Sequence, residues 1–463
     1  MIEASARTRN RRATLARMFL VAAATLAMPG CGPENDTHVA LAQPAASANL
    51  QPMSASPQSA PSATTIWRGP VRAAAGVQVQ TWYLDANDLG EIEAAGFGTV
   101  RWGISWSEVE KSPGVYDWSQ VDNFVGRLDQ TGLRSLVILG FGNALYSGTV
   151  LLPPDPAARE LSVPAPPEST EARAAYARFA AAAAARYAGK PIAWELWNEP
   201  DNAVFWPLVP NPAAYAELAF DACRAIRAAN SSASVVGGAG AALPNAVSWQ
   251  SGNIYASLVS NGAMTCLDAI SGHGYRMGSD YSSPGPDTIA PDLQASLSYL
   301  YTGLSLPAQK SFKVTEWGYP TSLVDPDLQI AYVMRGTLTN LASNVVLTVW
   351  YEWRDSRPED AGHEAHFGLN TINGGPKASS ATMSALTWLG NANYEGPATT
   401  GRVDAPAAFV TSGNKTYAMV WIATSDLTKR YRLNADGVYI GDISYLPKPF
   451  TVKNKRVVLV AQP

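Results

Sequence analysis

The sequence predicts an α/β fold: a (β/α)8 TIM barrel followed by a small C-terminal β-sandwich or β-sheet domain. Three observations carry this. From about residue 76, short apolar runs alternate with longer stretches of helical periodicity, which is how βα units of a parallel sheet read. Eight such runs occur before residue 390. Beyond it the apolar period changes to two, around turn signals such as Asp436-Gly437.

The eight predicted strands lie near residues 77–80, 99–102, 134–139, 193–197, 234–236, 269–271, 313–316 and 345–350. The intervening helices have start and stop signals. "STEARAAYARFAAAAAARYAGK" opens on a Ser/Thr cap, is rich in Ala, and stops at Gly189 before Pro191. "NPAAYAELAFDACRAIRAAN", from Asn211 to Asn230, carries Pro212 in its first turn. "TMSALTWLG", Thr382 to Gly390, is read as the last barrel helix. After it, "KTYAMVWIAT", "RYRLNADGVYIGDISYL" and "RVVLVAQP" alternate in twos. The domains expected are therefore a leader over 1–31, a tether over 32–64, the barrel over 65–390 and a small β domain over 391–463.

The leader has five arginines before the apolar stretch Met18 to Met28, which is too short to span a bilayer and has the layout of a secretory signal. It ends in "AMPGC", similar to a bacterial lipobox, so Cys31 is the expected lipidation site. Met28 and Pro29 depart from the usual pattern, and cleavage after Ala40–Ala42 is the alternative. Residues 32–64 are Ala-, Ser-, Pro- and Gln-rich and suit a flexible tether.

With 463 residues, 47% of them hydrophobic and 16% charged, the chain can build a large core. Removing residues 1–31 takes away five of 34 basic and one of 38 acidic residues, leaving 29 against 37, a net charge of −8. That balance disfavours nucleic acid and anionic membrane as partners, so membrane contact is expected only through the N-terminal anchor. Cys223 and Cys266 suit either a disulfide, which export permits, or reduced core positions.

In such barrels chemistry sits where the strands end. The polar residues at those ends are Arg101, Asn143, Asn198, Glu199, His273, Tyr275 and Glu316, with Trp350 after the last strand. Glu316 stands out because it ends a buried strand on a charge, which requires a partner. Glu199 is the matching carboxylate. Glu108, Glu110 and Glu195 are read as surface ion-pair members, and most of the 14 Trp as packing. The cluster in "GHEAHFG" lacks the HExxH spacing and lies among turn residues, so no metal site is read there, and no organic cofactor motif is found.

"WELWNEPD" (Trp194 to Asp201) and "VTEWGYP" (Val314 to Pro320) resemble the acid/base and nucleophile motifs of the clan A glycoside hydrolases. The resemblance covers roughly residues 76–389. "GVYDWSQVD", "SGHGY", "WYEWRD" and "HFGLNTINGGPKAS" resemble family 39 and family 5-like enzymes, and among these the Psl-type exopolysaccharide hydrolases of biofilm operons. The resemblance implies a retaining β-glycosidase acting on an envelope or extracellular polysaccharide by double displacement. It implies Glu199 as acid/base, kept protonated by the charge of Glu316, and Glu316 as nucleophile, kept ionised by Arg101 and Tyr275. Asn198 would bond the sugar 2-hydroxyl, His273 would orient the network, and Asn143 would contribute to the cleft. Trp350, with Trp353 or Trp106, would form a sugar platform. A catalytically silent carbohydrate-binding or assembly protein and a transglycosylase are the alternatives, distinguished by hydrolysis of a polymer.

Overall fold

The computed structural model describes residues 67–152, 162–207, 209–244, 249–276, 285–307, 310–357, 359–398, 407–413, 415–420 and 456–459. Cys31, the leader, the tether and the Arg430–Leu446 segment lie outside the described residues.

Eight parallel strands close into a barrel. They are β1 (Ala75–Gln78), β2 (Thr99–Ser105), β3 (Arg134–Gly140), β4 (Ile192–Leu196), β5 (Ser234–Gly240), β6 (Ala269–His273), β7 (Ser311–Trp317) and β8 (Thr348–Trp350). Each pairs with its neighbours in chain order, and Thr348 opposite Ala75 closes the ring. Helices alternate with the strands: α1 (Asp88–Ala94), α2 (Ser119–Leu128), α3 (Thr170–Arg186), α4 (Pro212–Ala229), α5 (Trp249–Ser260), α6 (Ile289–Ser298), α7 (Pro326–Ala342) and α8 (Ser380–Gly390). The (β/α)8 architecture is the one the sequence predicts.

Strand boundaries differ from expectation by up to four residues, the starts of β1 and β8 among them. β1 starts two residues earlier, at Ala75. β8 begins only at Thr348, because Val345 still donates its N–H to Asn340 at the end of α7, 2.8 Å away. The helix caps follow the sequence signals: Ser169 Oγ accepts from Ala172 N at 3.1 Å, and Asn211 Oδ1 accepts from Ala214 N at 3.1 Å.

The barrel interior is plugged by Leu136, Val236, Ala269, Leu347 and Val349, while a larger apolar layer lies between strands and helices. Helices α1 and α8 end against each other at a glycine pair. A Cβ on Gly96 would stand 2.9 Å from the Gly390 Cα, so this approach needs both glycines. Cys223 in α4 is joined by a disulfide to Cys266 in the short helix Ala263–Cys266, which decides between the two states the sequence left open.

After α8 the chain adds β9 (Asn393–Ala398), β10 (Ala407–Ser412), β11 (Lys415–Val420) and β12 (Arg456–Leu459). They form a sheet completed at one edge by Gly69–Pro70, which pairs with Asn393 and Tyr394. Among the described residues no helix is long and apolar enough to cross a membrane.

Candidate active site

Arg101, in the middle of β2, is fully buried and is the hub of the C-terminal face. Its Nε donates to Glu195 Oε2 at 2.7 Å, Nη2 to Asn198 Oδ1 at 2.7 Å, and Nη1 to Glu316 Oε2 at 2.6 Å and Gln78 Oε1 at 3.2 Å. One guanidinium thus ties β1, β2, β4 and β7 together. Burial opposes its charge, but Glu195 and Glu316 outweigh burial and raise its pKa. Glu195 is held in turn by Ser271 Oγ at 2.8 Å.

Glu316 is the carboxylate that the sequence left in want of a partner. Arg101 takes one oxygen, and the Tyr275 hydroxyl donates to the other at 2.8 Å. Burial works to raise its pKa, yet the charges of His273 and Arg101 and the hydrogen bonds from Tyr275 and Arg101 prevail, holding the carboxyl below its ordinary value.

Glu199 sits just beyond β4, where the chain leaves the strand through two positive-φ residues, Trp197 at 72° and Glu199 at 45°. Its N–H is anchored on the Ala239 carbonyl at 2.8 Å. That unusual backbone turns the side chain over the barrel mouth, with Oε1 2.7 Å from His273 Nδ1 and Oε2 accepting from Asn202 Nδ2 at 2.7 Å. Burial would lower the pKa of His273, but the charge of Glu316 and its contact with Glu199 raise it.

One carboxylate oxygen of Glu199, one of Glu316 and a ring nitrogen of His273 lie within 4.8 Å of one another. These donors converge as metal ligands would. However, both oxygens of Glu316 are already taken by Arg101 and Tyr275, and both of Glu199 by His273 and Asn202, so a cation would have to displace them.

Four expected substrate contacts are placed elsewhere. Asn143 is buried and uses its amide on the scaffold: Oδ1 caps the helix Ala144–Ser147 by accepting from Leu145 N at 3.0 Å, and Nδ2 donates to Glu110 O at 2.9 Å. Trp350 is 1% exposed. Val349 before it points into the barrel interior, so the strand pleat turns Trp350 outward, where it packs edge-on against Trp317 with ring centroids 4.9 Å apart. Trp353 is 2% exposed and donates Nε1 to Asp88 in α1 at 2.9 Å. Neither ring can serve as a platform. Trp106 is also buried, donating to Glu110 at 2.5 Å.

The structure also corrects two carboxylates read as surface ion-pair members. Glu195 is the buried Arg101 partner, and Glu110 is buried under Trp106, Tyr146 and the Gly114 N–H. Only Glu108 forms the expected surface pair, with Lys111 at 3.0 Å. Glu364, in the segment Glu359–His366, is a third acidic group near the mouth. Burial pushes its pKa up to about 7, and Glu316 and Glu199 add to the rise against Arg357.

No protein-family model matches the sequence, and no curated protein matches it. Solved structures do. A family 39 glycoside hydrolase from Bacteroides cellulosilyticus WH2 is similar at 21% identity and a TM-score of 0.62, over 84% of this chain and 79% of that one. A GH39 β-xylosidase from Caulobacter crescentus is similar at 19% identity and 0.55, over 75% and 77%. A GH39 enzyme from Xanthomonas axonopodis pv. citri is similar at 18% identity and 0.53, over 78% and 76%. At these identities the likeness establishes the shared barrel fold.

Proposed function

We propose that this chain is a retaining β-glycosidase. The observation that carries the reading is the pair of carboxylates at the barrel mouth, with oxygens within 4.8 Å and each held by a different set of donors. Retaining glycosidases keep their carboxyl groups about 5 to 5.5 Å apart, whereas inverting ones leave roughly 6.5 to 9.5 Å for a water. Oxygens that approach within 4.8 Å suit the shorter arrangement, in which one carboxylate attacks directly.

In this reading Glu316, ionised by its two donors, attacks the anomeric carbon. Glu199 gives a proton to the departing glycosidic oxygen, so that the C–O bond breaks as the ester to Glu316 forms. Glu199 then takes a proton from water, whose oxygen displaces Glu316 and regenerates both carboxyls. Asn198 has its amide oxygen fixed by Arg101, which leaves its NH2 as donor to the sugar 2-hydroxyl. The substrate class proposed is an envelope or extracellular polysaccharide, and the exported, Cys31-anchored location belongs to the same reading. Loss of membrane association in Cys31→Ser, with soluble activity kept, would test the anchor.

The test of mechanism uses a panel of activated aryl β-glycosides. Glu316→Ala is expected to be inactive on all of them. Glu199→Ala should still release the first aglycone but stall at the glycosyl-enzyme, and azide should restore turnover with a β-glycosyl azide as product. No hydrolysis by the wild type would support a silent binding protein, and azide rescue of Glu316→Ala with retained configuration would reverse the roles.

A further inference from the structure

Both oxygens of Glu199 have a partner, His273 for one and Asn202 for the other. Asn202 lies three residues on, inside the turn that follows the carboxylate. Its N–H donates to the Glu199 carbonyl at 3.0 Å, and its own carbonyl accepts from Phe205 N at 3.1 Å and Trp206 N at 2.8 Å. The backbone of this turn therefore winds around residue 202.

The side chain is oriented by the same turn. Asn202 Oδ1 accepts from Val204 N at 3.0 Å, so the amide oxygen must face Val204 and the NH2 must face Glu199 Oε2, at 2.7 Å. The reverse orientation would set NH2 against an N–H and oxygen against a carboxylate, two repulsive contacts in place of two hydrogen bonds. An amide NH2 can only donate, and a donor favours a carboxylate over a carboxylic acid.

The geometry points to Asn202 as a positioning residue that holds Glu199 in its carboxylate form, the base of the second step, and thereby sets the pH above which the first step loses its acid. This rests on the glycosidase reading above. Other groups also face Glu199. His273 approaches from the end of β6, Glu316 from β7 with Arg101 and Tyr275 attached, and Glu364, beside Arg357, from the segment Glu359–His366. Replacing Asn202 alters none of them, so a comparison across variants isolates the amide.

Two variants separate the donor from the turn. Asn202→Ala removes both the NH2 and the acceptor for Val204. Asn202→Asp keeps an oxygen for Val204 N–H but sets a second carboxylate against Glu199. The experiment is the pH profile of kcat/KM on an unactivated alkyl β-glycoside, whose leaving group needs the proton from Glu199, for the wild type and both variants. The alkaline limb is expected to move up by about one pH unit in Asn202→Ala, as for loss of one charge-assisted hydrogen bond. It is expected to move further in Asn202→Asp, where two carboxylates share a site. Limbs unmoved in both variants, with only a uniform loss of rate, would make Asn202 a turn residue and overturn the inference alone. A wild type that cleaves no glycoside would remove the glycosidase reading and this inference with it.

Discussion

Glu352→Gln should make this protein more stable, and increasingly so as pH rises. Glu352 follows β8 and is completely buried. Its Oε1 accepts from Ser356 Oγ at 2.8 Å, and its Oε2 is buried with no partner. Burial pushes its pKa up from 4.5 to about 8, despite Ser356 and Arg357 and with a further push from Asp355 and Glu364. Between those two pH values the folded chain holds a proton that the unfolded chain has released. Unfolding free energy therefore falls as pH rises, by about 1.4 kcal/mol per unit. Over the 2.5 units from 4.5 to neutral pH the loss amounts to roughly 3 kcal/mol. Glutamine has the shape of the protonated acid and no proton to lose. Its unpartnered NH2 replaces an equally unpartnered hydroxyl, so that cost is common to both. The variant should gain under about 1 kcal/mol at pH 5 and roughly 3 kcal/mol at pH 7, measured by urea denaturation at a series of pH values. A difference that stays constant from pH 5 to 8 would mean that Glu352 is not protonated in the folded protein.

Two other perturbations test the assignments of scaffold residues. Trp350→Ala should cost about 3 to 5 kcal/mol of stability through the cavity it leaves beside Trp317, without raising KM for a saccharide; a raised KM at unchanged stability would return Trp350 to the cleft. Cys266→Ser opens a loop of 43 residues and should cost roughly 4 kcal/mol by the chain-entropy relation, read as a lowered urea midpoint. An unchanged midpoint would show that the bridge contributes nothing to the folded state.

The barrel and the meeting of Glu199 with Glu316 were legible in the sequence because each strand carries its own apolar run and the polar residues gather at the strand ends. Glu195 was equally legible in principle. It stands between Trp194 and Leu196 in a buried strand, and the argument that Glu316 needs a partner applies to it unchanged. Reading it as a surface charge missed the second acceptor of Arg101. The outward facing of Trp350 was not legible. It depends on the phase of a strand only three residues long, and a predicted run of six left that phase open. Tyr351 instead stands next to Phe367, ring centroids 5.4 Å apart, with its hydroxyl 3.5 Å from Arg357 Nη2. Asn143 lies three residues past the end of β3, where a local cap competes successfully for its amide. Asn202 and Glu364 lie on irregular segments whose course periodicity does not describe.

The hub at Arg101 has a consequence for the order in which the molecule becomes competent. Its acceptors lie 23, 94, 97 and 215 residues away along the chain, the last being Glu316. A nascent or refolding chain can satisfy the guanidinium early with Glu195 and Asn198, while β7 is still unplaced. The fourth contact forms only when β7 docks, late in the sequence and at the largest loop-closure cost. Until then Glu316 lacks its cation, and a half-assembled barrel carries one charged residue of the pair without the other. Docking of β7 and the supply of a cation to Glu316 are thus a single event.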